Sequence, residues 1–191
     1  AIRAMFEEGT RLRALYGEDK VYDFSLGNPN LPAPKEVKEA IIDIISNEDS
    51  VTVHGYMNNA GFPTVRRAIA NSLNNRFNTS FTENNILMTV GAASGLNVAL
   101  KVIINPEDEV IIFAPYFGEY GSYVMNYDGR LVVVSPNTEN FQPNLVEFEE
   151  KITKRTKAVI INSPNNPTGV VYSEETIKNI ADILDRKQEE F

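Results

Sequence analysis

Residues 86–104 read ILMTVGAASGLNVALKVII, a short apolar run, a turn of small residues and an amphipathic segment in direct succession. The apolar run, residues 86–90, is typical of a buried strand. Nothing in residues 91–95 is larger than serine, so a ligand can approach the backbone closely there. The first turn of the helix predicted behind them has free N–H groups and about half a positive charge. The stretch therefore predicts either a phosphate cradle or a plain strand-to-helix turn.

The composition excludes several classes of protein. The chain has 191 residues, 42% of them hydrophobic, and a net charge of -8, which argues against non-specific binding to nucleic acid or to an anionic membrane surface. It contains no cysteine and a single histidine, His54, so disulfides, thiolate metal sites and cysteine nucleophiles are excluded. We find no signal peptide and no apolar run long enough to cross a bilayer, so a cytoplasmic location is the default expectation.

Apolar runs alternate with amphipathic segments after residue 85. The predicted strands are residues 86–90, 110–113, 131–134 and 158–162. The predicted helices are residues 96–104, 119–127, 145–152 and a last one that begins after Ser173. This alternation predicts a mainly parallel sheet flanked by helices, an α/β fold with three αβα layers. Because ligands bind at the carboxyl ends of such strands, we expect a site built from residues 91–95, 114–120 and 163–169.

The front of the chain predicts helices that each bury one face. Helices are expected over residues 1–16, from Pro34 and from Pro63, with a short strand at 21–26 and irregular loops at 27–34 and 54–61. The side chains expected to be buried are Val37, Ala40, Ile41, Ile44 and Ile45 in the second helix, and Val65, Ala68, Ile69 and Leu73 in the third.

Two of the expected strand-end loops carry side chains suited to a planar ligand that bears oxygen atoms. Residues 163–169, Ser-Pro-Asn-Asn-Pro-Thr-Gly, present two adjacent amides, and an amide there can donate a hydrogen bond to a phenolate-type oxygen. Residues 114–120 contain three aromatic side chains, any of which can stack on a ring. The alternatives are a turn-rich loop and aromatic groups that pack a helix. Composition alone leaves both open.

Four short motifs occur here in the order of a known family. They are the loop of residues 56–61, Gly91-Ala92-Ala93, Pro115-x-Phe117-x-x-Tyr120 and Asn166-Pro167-Thr168-Gly169. Together they resemble the fold-type-I, pyridoxal-phosphate-dependent aminotransferases of class I/II, near the aspartate aminotransferase branch. The resemblance implies an aminotransferase-like large domain that is incomplete in this chain. Residues 1–55 would contribute to the small domain and an interface, and residues 56–191 would form the first part of the cofactor-binding large domain.

The resemblance also implies contacts with the cofactor, pyridoxal 5′-phosphate. The turn at Gly91, Ala92 and Ala93 would hold the cofactor phosphate, with the backbone N–H groups of the two alanines as donors. Phe117 would stack on the pyridine ring. Asn166 would donate to the phenolic oxygen of the ring and would also lie beside the substrate.

Further implied contacts involve the substrate and a second subunit. Tyr56 would cross the interface of a homodimer to reach the neighbouring subunit's cofactor phosphate, and the Gly27 backbone would meet the substrate carboxylate. Tyr120 would be a second polar ring residue beside the cofactor. The resemblance further implies that the Ala114–Pro115 and Asn166–Pro167 peptide bonds are cis.

The family's remaining chemical groups are expected downstream of this chain. In the family, the lysine that forms a Schiff base with the cofactor and the acid that pairs with its pyridine nitrogen follow the Asn-Pro-Thr-Gly loop. None of the lysines in this chain lies in the sequence surroundings that the family's Schiff-base lysine has. We therefore expect the front part of a longer protein, with no catalytic residue of its own and with apolar strand edges unpaired. Residues 1–191 alone are expected to be inactive, and either loosely folded or paired with another copy.

The expected activity of the whole protein is transfer of an amino group between an amino acid and a 2-oxo acid, as part of amino-acid metabolism. The branch that the motifs resemble suggests aspartate. Two alternatives stay open: a non-catalytic, aminotransferase-like binding or regulatory module, and another fold-type-I enzyme such as a carbon–sulfur lyase. A dinucleotide-binding domain is disfavoured because residues 91–95 do not form a Gly-x-Gly-x-x-Gly turn.

Overall fold

The computed structural model describes residues 2–22, 27 and 31–190. The chain forms two compact units, Ala1–Asn59 and Ala60–Phe191. The division lies close to the boundary between residues 55 and 56 that the sequence predicts. The assignment of the two units to domains of the family stays a prediction.

The regular elements of the first unit are all helical in the residues that the structure describes. It contains α1 (Ile2–Tyr16), a 3₁₀ turn (Glu18–Lys20), α2 (Lys35–Asn47) and α3 (Ser50–His54). The short helix α3 was not expected; it begins because the carboxylate of Asp49 accepts a hydrogen bond of 2.9 Å from the Thr52 backbone N–H. The predicted strand at 21–26 lies mostly outside the described residues.

The prediction that α2 buries an apolar stripe is wrong for this chain. Val37, Ala40, Ile41, Ile44 and Ile45 are all exposed, and Ile45 keeps 69% of its accessible surface. Helical periodicity identifies an apolar face but not what covers it. Within the described part of residues 1–59, no element covers this face.

The second unit confirms the predicted alternation of helices and strands. Its elements are α4 (Pro63–Phe77), a 3₁₀ turn (Glu83–Asn85), α5 (Gly91–Ile103), β1 (Glu109–Phe113), α6 (Glu119–Met125), β2 (Arg130–Val134), α7 (Leu145–Lys151), β3 (Thr156–Ile160) and α8 (Glu174–Glu190). Ser173 caps α8 as predicted, since its hydroxyl accepts a 3.0 Å hydrogen bond from the Thr176 N–H. None of the described helices is both long and apolar enough to cross a membrane.

The three strands form a parallel sheet in the order β2-β1-β3. All five residues of the central strand β1 are buried. Alternate residues of β1 face opposite sides of the sheet, so Ile111 packs with α7 and α8, whereas Val110 packs with α5 and α6. This arrangement is the predicted α/β fold. Because the strands are parallel, Phe113, Val134 and Ile160 bring their following loops to one edge of the sheet.

The prediction of a strand at residues 86–90 is wrong. The segment pairs with no strand among the described residues, and Val90 is 93% exposed. A strand needs a neighbour for its backbone hydrogen bonds, and the described sheet places β1, β2 and β3 elsewhere. What holds the segment instead is a 3.0 Å hydrogen bond from the Met88 N–H to the Ala60 carbonyl.

The buried face of α4 also differs from the prediction. Val65 and Ala68 are exposed and Ile69 and Leu73 are only half-buried, whereas Arg66 and Ala70 are buried. The guanidinium of Arg66 donates to the Gly61 carbonyl at 3.1 Å and to the Glu83 carbonyl at 2.7 Å. Hydrophobic periodicity misses this face because its central residue is a buried arginine whose partners are backbone carbonyls.

Candidate active site

The amino end of α5 is an open turn with exposed backbone N–H groups. Gly91, the first residue of the helix, has a φ of 77°, a conformation that favours glycine, and its N–H donates to the Thr89 carbonyl at 3.0 Å. Ala92 and Ala93 are exposed. Their backbone N–H groups donate to no protein acceptor in the part of the chain that the structure describes. Two free donors at the positive end of a 13-residue helix can hold a phosphate.

The loop after β1 and the following helix α6 present an aromatic array that runs from the surface into the core. Phe117 is half-buried and meets Tyr120 edge-on, with ring centroids 5.6 Å apart. Tyr120 in turn meets the buried ring of Tyr123 at 6.2 Å. These contacts restrict the orientation of Phe117 from one side, so its ring is available as a fixed surface for a planar ligand.

The two adjacent asparagines after β3 have different environments. Asn166 is exposed, its backbone N–H donates to the Asn162 side chain at 2.8 Å, and its own amide group has no partner among the described residues. Asn165 is 6% exposed, and its amide oxygen accepts from the Thr168 N–H at 3.2 Å and from the Thr168 hydroxyl at 2.8 Å. Asn166 is therefore free to meet a ligand, whereas Asn165 is committed to internal contacts.

Sequence reasoning missed the internal role of Asn165. A signal was present, because an asparagine three residues before a threonine has the spacing of a local side-chain-to-backbone hydrogen bond. The asparagine side chain also donates to the Pro115 carbonyl at 3.3 Å, which no sequence pattern predicts across 50 residues. This bond joins the loop after β3 to the loop after β1.

The carboxyl end of β2 is closed by a polar cluster. The Ser135 N–H and hydroxyl donate to the Glu147 carboxylate at 3.0 and 2.9 Å, and Lys151 bridges that carboxylate to the Val133 carbonyl. The hydrogen bond from Lys151, helped by those from Ser135, holds the pKa of Glu147 below its usual range. Because these side chains bind one another, the end of β2 has fewer polar groups available to a ligand than the ends of β1 and β3 have.

Gly27 and Tyr56 belong to the other compact unit, residues 1–59. Both are exposed, Tyr56 completely. Their expected contacts with the substrate and with a second subunit's cofactor stay predictions.

The two peptide bonds expected to be cis, Ala114–Pro115 and Asn166–Pro167, are cis in the structure. The Ser163–Pro164 bond is also cis, which was not predicted.

The fold and this edge of the sheet define a class of protein: an α/β domain with an open helix start, and with an aromatic loop and an amide loop joined by a hydrogen bond. Residues 19–188 match the family model for aminotransferase class I and II, and the chain belongs to this family. It is a fold-type-I family, and its members depend on pyridoxal phosphate.

Solved structures and curated relatives agree with this assignment. A crystal structure of an aminotransferase from Eubacterium rectale is 46% identical, has a TM-score of 0.94 and covers 100% of this chain and 48% of its own. An alanine aminotransferase from Pyrococcus furiosus is 27% identical with a TM-score of 0.86, over 98% of this chain and 47% of its own. The aspartate aminotransferase of Thermotoga maritima is 33% identical over 172 residues, which are 90% of this chain and 44% of that protein. The chain thus spans less than half the length of each of these proteins.

The described residues fit the cofactor of the family. Pyridoxal phosphate carries a phosphate dianion, a planar ring and a phenolic oxygen. The two free N–H groups at the start of α5, the ring of Phe117 and the unpartnered amide of Asn166 offer a donor or a surface to each.

Proposed function

We propose that the protein containing this chain is a pyridoxal-phosphate-dependent aminotransferase that moves an amino group between an amino acid and a 2-oxo acid. The observation that carries the proposal is the pair of N–H groups on Ala92 and Ala93, exposed at the start of α5 with no acceptor in the described protein. Membership of the aminotransferase family supports it. The cofactor, when bound, supplies an electron sink for charge that develops at the α-carbon of the amino acid.

The residues of this chain bind and orient in that reaction. Ala92 and Ala93 hold the phosphate through their backbone N–H groups, and Gly91 keeps that approach free of a side chain. Phe117 fixes the plane of the ring, with Tyr120 packed against its edge. Asn166 donates from its amide to the phenolic oxygen and lies beside the substrate. A ligand held at three separate points in this way keeps one orientation, which is the main contribution of a protein to such chemistry.

Aspartate is the amino-acid substrate that we propose. The similarity to the aspartate aminotransferase of Thermotoga maritima supports this choice, whereas the similarity to an alanine aminotransferase makes alanine the substrate to compare. Gly27 would contact the substrate carboxylate. The test is kcat/KM of the complete protein with aspartate and with alanine, each with a 2-oxo acid acceptor; a preference for alanine would contradict the proposal.

The same proposal includes a cytoplasmic homodimer in which Tyr56 reaches the neighbouring subunit's cofactor phosphate. The complete exposure of Tyr56 on the unit of residues 1–59 supports a contact with another molecule. Residues 1–191 by themselves are proposed to be inactive, because the lysine that the family uses is expected downstream. Sedimentation of the complete protein as a monomer would contradict the dimer, and transamination by residues 1–191 alone would contradict the second point.

The phosphate cradle is tested by a substitution that should stabilise α5 but weaken binding of the cofactor phosphate. An aspartate in the first turn of a helix is stabilising, yet in Ala93→Asp it would face a phosphate dianion. We expect the complete Ala93→Asp protein to bind pyridoxal phosphate at least about tenfold more weakly than Ala93→Asn, because like charges that are about 4 Å apart repel by several kcal/mol near a protein surface.

Ala93→Asn is the matched control, since it has the same size without the charge. Thermal unfolding of the cofactor-free variants should give a midpoint for Ala93→Asp at or above that of Ala93→Asn. Equal affinity of the two variants for pyridoxal phosphate would remove the α5 turn from the site.

A further inference from the structure

Asn165 is the most constrained polar residue at this edge of the sheet. Its side chain lies beneath the surface between two loops that follow different strands. The amide nitrogen donates to the Pro115 carbonyl at 3.3 Å, and the amide oxygen accepts the two hydrogen bonds from Thr168. The side chain thus uses both ends of its amide, one toward each loop.

The backbone of Asn165 is fixed as well. Its N–H donates to the Val170 carbonyl at 2.8 Å, and its carbonyl accepts from the Gly169 N–H at 2.7 Å. These two bonds close the loop of residues 163–169 on itself. Asn165 therefore cannot move without moving the loop that carries Asn166.

We infer that Asn165 is a positioning residue that fixes Phe117 relative to Asn166. The inference rests on the proposed function, in which Phe117 stacks on the cofactor ring and Asn166 donates to its oxygen. Pro115 lies two residues before Phe117, and Asn165 directly precedes Asn166, so one side-chain hydrogen bond sets the separation between the two ligand contacts. Binding groups must be held within about 0.5 Å of the productive geometry, and buried supporting hydrogen bonds provide that precision.

The geometry allows a selective test. Asn165→Asp keeps the oxygen that accepts from Thr168 but replaces the nitrogen that donates to Pro115 with a second oxygen, which repels the carbonyl. The hydrogen bonds from Thr168 are therefore retained, whereas the bond between the loops is lost together with the hydrogen bond of the Asn165 side chain to the Tyr172 phenol. Tyr172→Phe removes only the latter bond and separates the two effects. A matched control is Glu109→Gln, because Glu109 is also buried but lies at the opposite, amino end of β1, where it accepts from the Thr153 hydroxyl.

The first experiment uses the complete protein saturated with pyridoxal phosphate. The readouts are visible circular dichroism of the bound cofactor, which reports its fixed orientation, and kcat and KM measured separately. We expect Asn165→Asp to lose at least half of the dichroic signal per bound cofactor and to lower kcat about tenfold or more, since small misplacement of reacting groups is costly. Glu109→Gln should retain the wild-type dichroic signal even if its thermal midpoint falls by as much as that of Asn165→Asp. A wild-type signal and kcat in saturated Asn165→Asp would overturn the inference.

The second experiment needs no cofactor. Hydrogen exchange of the cofactor-free protein follows two protected amides that flank the loop after β1. They are those of Ala114, which donates to Val134, and of Tyr120 in the first turn of α6, which donates to Phe117. Asn165→Asp should accelerate their exchange, whereas Glu109→Gln should not, and equal exchange in both variants would overturn the inference. If the wild-type protein binds no pyridoxal phosphate, the proposed function fails, and the exchange rates still decide whether Asn165 joins the two loops.

Discussion

The phenol of Tyr123 donates a hydrogen bond of 2.6 Å to Oε2 of Glu119, one turn earlier on α6. Tyr123 is buried against the sheet, and its ring is the inner member of the array that begins at Phe117. The hydrogen bond to Glu119, with burial as the next cause, raises the pKa of Tyr123 to about 12. This contact therefore anchors the aromatic array behind the proposed ring-stacking residue.

The raised pKa of Tyr123 predicts a loss of stability in alkali. In the unfolded chain the phenol of Tyr123 ionises near its ordinary pKa of about 10. Between about pH 10 and 12 the folded state therefore holds the proton more tightly than the unfolded state does. The stabilisation is complete below that range and is lost as the pH rises through it. Urea unfolding of the complete protein should show wild type more stable than Tyr123→Phe near neutrality, with the difference closing in alkali. Glu119→Gln should remove most of this pH dependence, and a constant difference would contradict the assignment.

Two adjacent arginines on α4 predict opposite results. Arg66 is buried and donates to the carbonyls of Gly61 and Glu83, whereas Arg67 lies at the surface and pairs with the Glu83 carboxylate at 2.6 Å. Arg66→Met should lower the free energy of unfolding by about 1–3 kcal/mol, because it leaves the buried Gly61 carbonyl without a donor and the half-buried Glu83 carbonyl with the Ile86 N–H alone. Arg67→Met should change it little, since exposed ion pairs are weak. Equal losses in urea unfolding of the two variants would contradict a stabilising role for the hydrogen bonds of Arg66 to the carbonyls of Gly61 and Glu83.

Asn166→Ala tests the proposed donor to the phenolic oxygen. Its amide is exposed and has no partner among the described residues, so the substitution should leave the thermal midpoint of the cofactor-free protein unchanged. In the complete protein with cofactor, it should raise the pH at which the cofactor absorption changes by about one to two units, because a hydrogen bond to an anionic oxygen is lost. Asn126→Ala, at the far end of α6, is the control. A titration identical to wild type would exclude Asn166 from the site.

The polypeptide of residues 1–191, made by itself, should associate. β3 is an edge strand of the described sheet, and a groove of about 530 Å³ beside it is lined by apolar side chains that include Val159, Ile161 and Leu184. Exposed apolar strand edges promote pairing between chains. Light scattering should detect dimers or larger species that decrease in Ile161→Lys, because a charge on the edge opposes pairing. A monomer with a sharp unfolding transition would contradict this prediction.

Local rules made the parallel α/β alternation predictable. The apolar runs that form β1, β2 and β3 are bounded by turn residues. Ser173 is a residue type preferred at the start of a helix, and its contact with Thr176 confirms that it caps α8. The same rules failed at residues 86–90 and on α2. In both places the apolar pattern is present, but no described element covers it. Hydrophobic periodicity identifies the apolar face of a helix or strand. Whether that face is buried depends on the elements that pack against it.

The candidate site divides in the same way. Small residues after an apolar run predicted the open turn at Ala92 and Ala93, since side-chain size and helix polarity are local properties. Composition and position presented Asn165 and Asn166 as equivalent amides, and only the resemblance to a family motif singled out Asn166. Tertiary structure separated them, because the Pro115 carbonyl, 50 residues earlier, lies within hydrogen-bonding distance of one and not of the other. The sequence by itself determined the kind of fold and the chemistry available at its edge. The packing of loops from different strands decided which side chain is locked inside and which is free to meet a ligand.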